Sequence, residues 1–184
     1  MDGHRRLPHE YPVDRPLFLT WHLQGAVRSG HFAPPGKLSS GEAFAWMDRY
    51  LDSTRKGPLY LKRPEIAKIV VESIHYCVGL GHYDLHAYVV MANHVHMLVT
   101  PRIDPSSFMR SLKGFTAREI NKTLGLSGAL WQKESYDHWV RNEDEFDKIR
   151  RYIENNPVKA GLVSKPEDFP WSSAYIDMNV DAAR

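Results

Sequence analysis

The sequence predicts an α+β fold in which helices pack on an antiparallel sheet, and three observations carry that prediction. Residues 17–24 alternate between two faces with a period of two, as a strand with one buried face does. Residues 83–91 and 94–100 are two strand-like runs joined only by Ala92-Asn93, which favours a hairpin. Apolar residues at three- and four-residue steps mark helices between the strands. The predicted order is β-α-β-β-α-β with an additional C-terminal helix.

The composition fits a single domain without disulfides. The chain has 184 residues, enough to bury a core, and its one cysteine, Cys77, excludes an internal disulfide framework. Apolar runs stay far below 18 residues and the N-terminus lacks a signal-peptide core, so we expect a cytoplasmic protein with no membrane partner. A net charge of +2 permits a nucleic-acid partner without indicating one.

The first third of the chain has the weakest pattern. Residues 1–16 contain three prolines and are predicted to form a flexible arm. Residues 17–176 are expected to form one domain and residues 177–184 a frayed tail. Inside the domain, residues 25–63 are interpreted as a surface insertion that holds a short helix at 41–51. The insertion carries basic side chains that either contact phosphates or are simply solvated: Arg49, Arg55, Lys56, Lys62 and Arg63.

Three longer helices follow. The first begins at Pro64, and its apolar positions are Ile66, Ile69, Val70, Ile74 and Cys77. The second begins after Asp104, and its apolar stripe is Phe108, Leu112, Phe115, Ile120 and Leu124. The third begins after the N-cap Asn142 and runs to about Asn155. Between the second and third helices, residues 129–132 and 136–141 are predicted to be extended, with Trp131 in the core.

The polar side of the second long helix carries four basic residues. They are Arg110, Lys113, Arg118 and Lys122. Phosphate contacts with nucleic acid would use such a face, and a merely solvated helix face would have the same pattern. Both interpretations stay open on the sequence alone.

His94 and His96 stand two residues apart in a predicted strand. Both imidazoles therefore project from the same face of the sheet, which supplies two ligands of a metal site or, equally, a polar face. Tyr152 and Asn156 lie four apart at the end of the last helix and share a face, although a tyrosine there can also serve packing. Two imidazoles and one amide oxygen suit Mg²⁺ or Mn²⁺ with positions left open, and a nearby phenol could attack phosphorus.

Several motifs resemble known DNA-processing enzymes. His94-Val-His96 is similar to the histidine–hydrophobe–histidine signature of the HUH endonucleases. Leu130-Trp-Gln132, Tyr152-Ile-Glu-Asn-Asn-Pro-Val-Lys-Ala-Gly-Leu-Val163 and Pro170-Trp-Ser-Ser173 resemble the REP-associated tyrosine transposases. The resemblance extends from about Leu17 to Tyr175, and its C-terminal half is the more specific part.

The resemblance implies a ferredoxin-like α+β sandwich, with helices on one face of an antiparallel sheet and the nucleophile on a C-terminal helix. It makes His94 and His96 metal ligands, Tyr152 the nucleophile and Asn156 the residue that completes the metal site. The implied reaction is metal-dependent cleavage of single-stranded DNA, often a hairpin, which leaves a 5′-phosphotyrosine and a free 3′-hydroxyl. Among basic residues, the resemblance adds Lys133 and Arg141 as candidate DNA contacts.

Two other functions remain open on the sequence. A module that binds DNA hairpins without cutting them would not require all four site residues. A metal phosphodiesterase that uses water would keep the histidines and tolerate the loss of Tyr152. No general base is identified, although Glu119 and Glu154 are available acids. No additional apolar stripe marks a dimer surface, so we expect a monomer.

Overall fold

The structure is a computed structural model that describes residues 14–27, 40–54 and 57–176. The first 13 residues of the predicted arm, the tail 177–184, Arg55 and Lys56 lie outside the described residues. The strands are β1 (Leu17–His22), β2 (Tyr83–Val90), β3 (His94–Pro101) and β4 (Tyr136–Trp139). The helices are α1 (Ser40–Ser53), α2 (Pro64–Gly79), α3 (Pro105–Leu124), α4 (Glu143–Glu154) and α5 (Asn156–Lys159), with 3-10 turns at Tyr60–Lys62 and Pro166–Asp168. None of the described helices is long and apolar enough to cross a membrane.

The four strands form one antiparallel sheet in the order β2-β3-β1-β4. The β2–β3 hairpin predicted around Ala92-Asn93 is present, and β3 lies in the interior of the sheet between β2 and β1. In the register of β1 and β3, Thr20 stands opposite His96 and His22 opposite His94. The predicted α+β fold with an antiparallel sheet is confirmed, and the histidine pair lies on an interior strand.

The two faces of the sheet pack against different helices. Val95, Met97 and Val99 of β3 join the larger core cluster, to which α2 and α3 contribute. Leu98 faces the other way and joins a smaller cluster that includes Ile153 of α4. Because side chains alternate along a strand, His94 and His96 share the face of Leu98. The histidines and α4 therefore occupy the same side of the sheet, opposite α2 and α3.

The helix predicted at residues 41–51 exists and is two residues longer at its C-terminal end and one at its N-terminal end. It is not part of a surface insertion, because Leu51 is only 2% exposed and belongs to the larger core cluster. The Asn93 side-chain amide donates a hydrogen bond to the Leu51 carbonyl oxygen at 3.1 Å. Leu61, also predicted to lie in the insertion, is 1% exposed. The surface interpretation was wrong for these residues. The glycines and prolines around them made the segment look like a loop, although both residues belong to the core.

The last residues of the predicted arm are anchored to the sheet. The Asp14 backbone N–H donates to the Pro101 carbonyl oxygen at 3.1 Å, and the Asp14 carboxylate pairs with Arg102 at 2.6 Å. Val140 donates its backbone N–H to the Pro16 carbonyl oxygen at 3.0 Å. The chain is therefore fixed to the domain by residue 14.

The apolar stripe predicted on α3 was wrong at one position. Phe115 is 47% exposed, whereas Phe108, Leu112 and Ile120 are buried as predicted. The buried line advances in steps of four residues, so it passes through Thr116 rather than Phe115. The Thr116 hydroxyl oxygen is buried and accepts a hydrogen bond from the indole N–H of Trp131, at 2.9 Å. A polar residue thus occupies the core position because an indole needs an acceptor there.

Thr116→Val is expected to lower the free energy of unfolding by about 1–3 kcal/mol, because it leaves the buried Trp131 indole N–H without its acceptor. Urea denaturation measures this loss. Thr123→Val is the matched control, since Thr123 is exposed on the same helix and its hydroxyl donates to the Glu119 carbonyl oxygen of the helix itself. Equal losses in the two variants would show that the hydrogen bond to Trp131 contributes nothing.

Candidate metal and nucleophile site

His94 and His96 are completely buried on the interior strand β3, with ring centroids 4.7 Å apart. The Nδ1 of His94 lies 2.7 Å from the Asn93 side-chain oxygen, and the Nδ1 of His96 lies 2.7 Å from the Thr20 hydroxyl. An amide oxygen only accepts, so Nδ1 of His94 carries the proton and its Nε2 holds a free lone pair. Metal-binding histidines are commonly oriented in this way through their second nitrogen.

The structure adds two carboxylates from α1 to the histidine pair. Oδ1 of Asp48 lies 2.8 Å from Nε2 of His96 and 3.6 Å from Nε2 of His94, and Oδ1 of Asp52 lies 3.6 Å from Nε2 of His94. One ligand atom each from Asp48, His94 and His96 fits within 4.8 Å of the others. The sequence analysis missed both acids. Their four-residue spacing, beside the apolar stripe of the predicted helix 41–51, was the available signal.

Burial and neighbouring charges shift the pKa values of three groups in this cluster. Burial, together with the charge of His96, lowers the pKa of His94 to about 3, so His94 is neutral at physiological pH. Burial alone would raise the pKa of Asp48, but the neighbouring His96 holds it below its ordinary value. Burial and the nearby charge of Asp48 raise the pKa of Asp52 to about 7. A neutral imidazole and an ionised carboxylate are the forms that ligate metals.

Four polar atoms of this cluster are buried without a hydrogen-bond partner among the described residues: Oδ1 of Asp48, Oδ1 of Asp52, Nε2 of His94 and Nε2 of His96. The 2.8 Å contact between Asp48 and His96 is an ion-pair contact that lacks hydrogen-bond geometry. Buried polar atoms normally find partners, and four unpartnered atoms in one place are unusual. A divalent cation held among them would satisfy the group, so the residues present fit a metal ion.

Tyr152, near the C-terminal end of α4, packs beside this cluster. Its ring centroid lies 5.8 Å from that of His96, 6.3 Å from Phe18 and 6.1 Å from Phe44. The ammonium of Lys159 lies 4.4 Å from the centre of the Tyr152 ring. The half-buried tyrosine is therefore held between aromatic rings on the histidine side of the sheet, with one cation against its ring.

Asn156 is the first residue of α5 and is completely buried. Helix α4 ends at Glu154, and Pro157 follows Asn156, so the chain breaks between the two helices where the proline predicts a boundary. Neither the oxygen nor the nitrogen of the Asn156 side chain has a hydrogen-bond partner in the described part of the chain. Its role as a metal ligand stays a prediction.

Three basic residues that the sequence analysis did not select surround Tyr152. Lys148, Arg151 and Lys159 line a cavity of about 410 Å³ that also contains the tyrosine. Lys148 and Arg151 lie three residues apart on α4, and Lys159 is the last residue of α5. In the sequence, such basic residues are indistinguishable from a solvated face. Three positively charged side chains therefore line the cavity beside the candidate nucleophile.

The basic residues predicted on α3 lie elsewhere. Helix α3 packs on the face of the sheet opposite the histidines, and Arg110, Arg118 and Lys122 are exposed on it. The ammonium of Lys113 donates to the carbonyl oxygens of Gln132 and Lys133 and to the Ser135 hydroxyl, at 2.9, 3.2 and 3.1 Å. Its three protons are thus used to fix the segment before β4.

The two candidates added by the resemblance, Lys133 and Arg141, are exposed. Arg141 precedes the N-cap of α4, and its backbone N–H donates to the Glu145 carboxylate at 2.7 Å, while its guanidinium stays exposed. Among the six predicted DNA contacts, none lines the cavity that contains Tyr152. Their contact with DNA stays a prediction.

Comparison with known proteins decides the family. The sequence profile described as "Transposase IS200 like" matches residues 60–156, more than half of the chain. The chain belongs to the IS200-like transposase family. The matched region of the chain contains His94, His96, Tyr152 and Asn156, whereas Asp48 and Asp52 precede it.

Two curated relatives of the chain are named as REP-associated tyrosine transposases. The REP-associated tyrosine transposase of Escherichia coli (strain K12) is 31% identical over 99 residues, which is 52% of this chain and 57% of that protein. A Haemophilus influenzae protein of the same group is 26% identical over 111 residues, 54% of this chain and 63% of the relative. The match therefore spans less than two thirds of either relative.

A solved structure supports the fold of the chain. A REP-associated tyrosine transposase bound to a REP hairpin superposes with a TM-score of 0.57 at 22% sequence identity. The superposition covers all of this chain and 87% of the solved one. At this identity the likeness concerns the fold.

Proposed function

We propose that this transposase cleaves and rejoins single-stranded DNA at hairpin-forming repeats, with Tyr152 as the nucleophile and a divalent cation, Mg²⁺ or Mn²⁺, at His94 and His96. One observation carries the proposal: the Tyr152 ring packs 5.8 Å from the ring of His96, beside a buried pair of histidines whose Nε2 atoms have no hydrogen-bond partner among the residues that the structure describes. A candidate nucleophile and a candidate metal centre thus share one site.

The residues around Tyr152 prepare it for attack on a phosphodiester. Phe18 and Phe44 restrict the ring, which reduces the entropy lost when the phenolic oxygen aligns with phosphorus. The ammonium of Lys159 stabilises negative charge that develops on the phenolic oxygen and on the phosphate. These contacts orient the tyrosine and do not depend on the base sequence of the DNA.

The proposed step exchanges one phosphate ester for another. The phenolic oxygen of Tyr152 forms a bond to phosphorus, its proton passes to solvent, and the bond from phosphorus to the 3′ oxygen breaks. The 3′ oxygen takes up a proton, which gives a 5′-phosphotyrosine and a free 3′-hydroxyl. A bound divalent cation would supply charge neutralisation at the phosphate. The ester keeps the energy of the broken bond, so attack by another 3′-hydroxyl rejoins the strand.

A DNA hairpin is the substrate that we propose, on two grounds. The solved relative is bound to a REP hairpin. In this chain, Lys148, Arg151 and Lys159 line the cavity that contains Tyr152, so three cations are available to the phosphates on either side of the cleaved bond. We propose that the single strand beside the hairpin lies in this cavity.

Removal of the cation is expected to stop the reaction. Incubated with Mn²⁺ and an end-labelled single strand that carries a hairpin, the protein should give a shortened strand and a covalent protein–DNA band on a denaturing gel. EDTA should abolish both products, and excess Mn²⁺ should restore them, because His94 and His96 hold the cation that neutralises the phosphate. Blunt duplex DNA serves as the control substrate.

The same gel separates the competing functions. Hairpin binding without cleavage would indicate a binding module. Cleavage without a covalent band would indicate a phosphodiesterase that uses water. Cleavage that EDTA leaves unchanged would contradict the metal-dependent reaction.

A further inference from the structure

We propose that Asp48, supplied by α1, is the third protein ligand of the cation, and that Asp52 adds a second negative charge at the edge of the site. This inference rests on the cation site at His94 and His96 in the proposed function. Asp48 gives the set of protein ligands a negative charge, which His94, His96 and Asn156 would not supply. The matched family region begins at residue 60, so the carboxylates come from a part of the chain outside it.

The distances suit coordination. Oδ1 of Asp48 lies 2.8 and 3.6 Å from the Nε2 atoms of His96 and His94. Oxygen and nitrogen ligands about 2.0–2.2 Å from one ion lie roughly 3 Å apart at adjacent positions. A simple ion pair between Asp48 and His96 would leave Nε2 of His94 without a partner. A cation satisfies all three atoms together.

The charge balance points the same way. Asp48 is only 3% exposed, and Oδ1 of Asp52 lies 3.6 Å from Nε2 of His94. The positive charge of Lys159 acts on both carboxylates. A buried carboxylate such as that of Asp48 is costly unless charge compensates it. A divalent cation supplies that compensation at the unpartnered oxygens.

Hydrogen bonds through Asn93 connect helix α1 to His94. The Asn93 side chain accepts from Nδ1 of His94 and donates to the Leu51 carbonyl oxygen, so a single amide joins the end of α1 to the metal-site strand. At the other end of α1, the Phe44 ring lies 6.0 Å from the ring of His96. Asp48 lies between these two anchors, and its carboxylate is therefore held in place before a cation arrives.

Mn²⁺ binding without DNA tests this inference. The electron paramagnetic resonance signal of unbound Mn²⁺ gives the affinity of the full chain, and circular dichroism checks folding. Asp48→Asn is expected to weaken binding about 10- to 100-fold and to reduce the rise in melting temperature that Mn²⁺ causes. Asp52→Asn is expected to weaken binding less, and the exposed Asp168→Asn is the matched control with wild-type affinity.

A second measurement does not depend on the folding of a variant. In wild-type protein labelled with ¹³C at the aspartate carboxyl groups, electron–nuclear double resonance should detect a carboxyl ¹³C coupling to bound Mn²⁺. Wild-type affinity in folded Asp48→Asn, or the absence of that coupling, would overturn the inference. If His96→Ala loses Mn²⁺ while Asp48→Asn keeps it, the cation site of the proposed function stands and only Asp48 is excluded. If the wild-type protein binds no Mn²⁺, both fail.

Discussion

Tyr152→Phe is expected to eliminate the covalent protein–DNA band and to reduce cleavage by at least ~10³-fold, because phenylalanine has no oxygen to attack phosphorus. The phenyl ring keeps the contacts with Phe18, Phe44 and Lys159, so the fold and the binding of the hairpin should persist. Denaturing gels measure the adduct and the cleavage, and fluorescence anisotropy measures the binding.

Tyr76→Phe is the matched control for this substitution. Tyr76 is exposed on α2, on the opposite side of the sheet, and its replacement should leave the adduct intact. Cleavage at the wild-type rate in Tyr152→Phe would assign the reaction to another nucleophile. Loss of binding in the same variant would mean that Tyr152 acts in recognition rather than in chemistry.

His96→Ala is expected to reduce both Mn²⁺ affinity and cleavage by at least ~100-fold, since it removes an imidazole that we propose as a ligand of the cation. His96 lies between the Thr20 hydroxyl and the Asp48 carboxylate, and the three belong to β3, β1 and α1. The rate of adduct formation at saturating hairpin, measured over a Mn²⁺ titration, separates a lost cation from lost DNA binding.

An exposed histidine provides the comparison for His96→Ala. His75 lies on α2, where Nε2 is 3.3 Å from the Tyr88 hydroxyl. His75→Ala should keep the wild-type dependence on Mn²⁺. A folded His96→Ala variant with unchanged Mn²⁺ dependence would remove the histidine pair from the catalytic account.

Local periodicity explains why the sheet and the main helices were predictable. The alternation in β1 and β3 and the cap at Asn142 are consequences of neighbouring residues alone. Phe115 shows the limit of such reasoning, because it is more apolar than its neighbour Thr116 and yet is 47% exposed, while Thr116 faces the core. The buried choice was Thr116, decided by the indole of Trp131, fifteen residues away.

The residues of the candidate site also differ in whether local sequence patterns could predict them. His94 and His96 were predictable because the strand itself places both on one face. Asp48 was not, since its role depends on where α1 docks against a strand more than 40 residues later in the chain. A carboxylate in a weakly patterned segment resembles a surface residue until its partners are known. Lys113 is the converse case, since its ammonium binds the chain's own carbonyl oxygens, which no sequence pattern displays.

Identification of the residue to which the DNA becomes attached tests most directly whether Tyr152 is the nucleophile. The protein should be incubated with hairpin-bearing single-stranded DNA and Mn²⁺, digested with nuclease and trypsin, and analysed by mass spectrometry. We expect the nucleotide phosphate on Tyr152, in the peptide that links α4 to α5. A phosphate on any other residue, or cleaved DNA with no modified peptide, would contradict the proposed reaction.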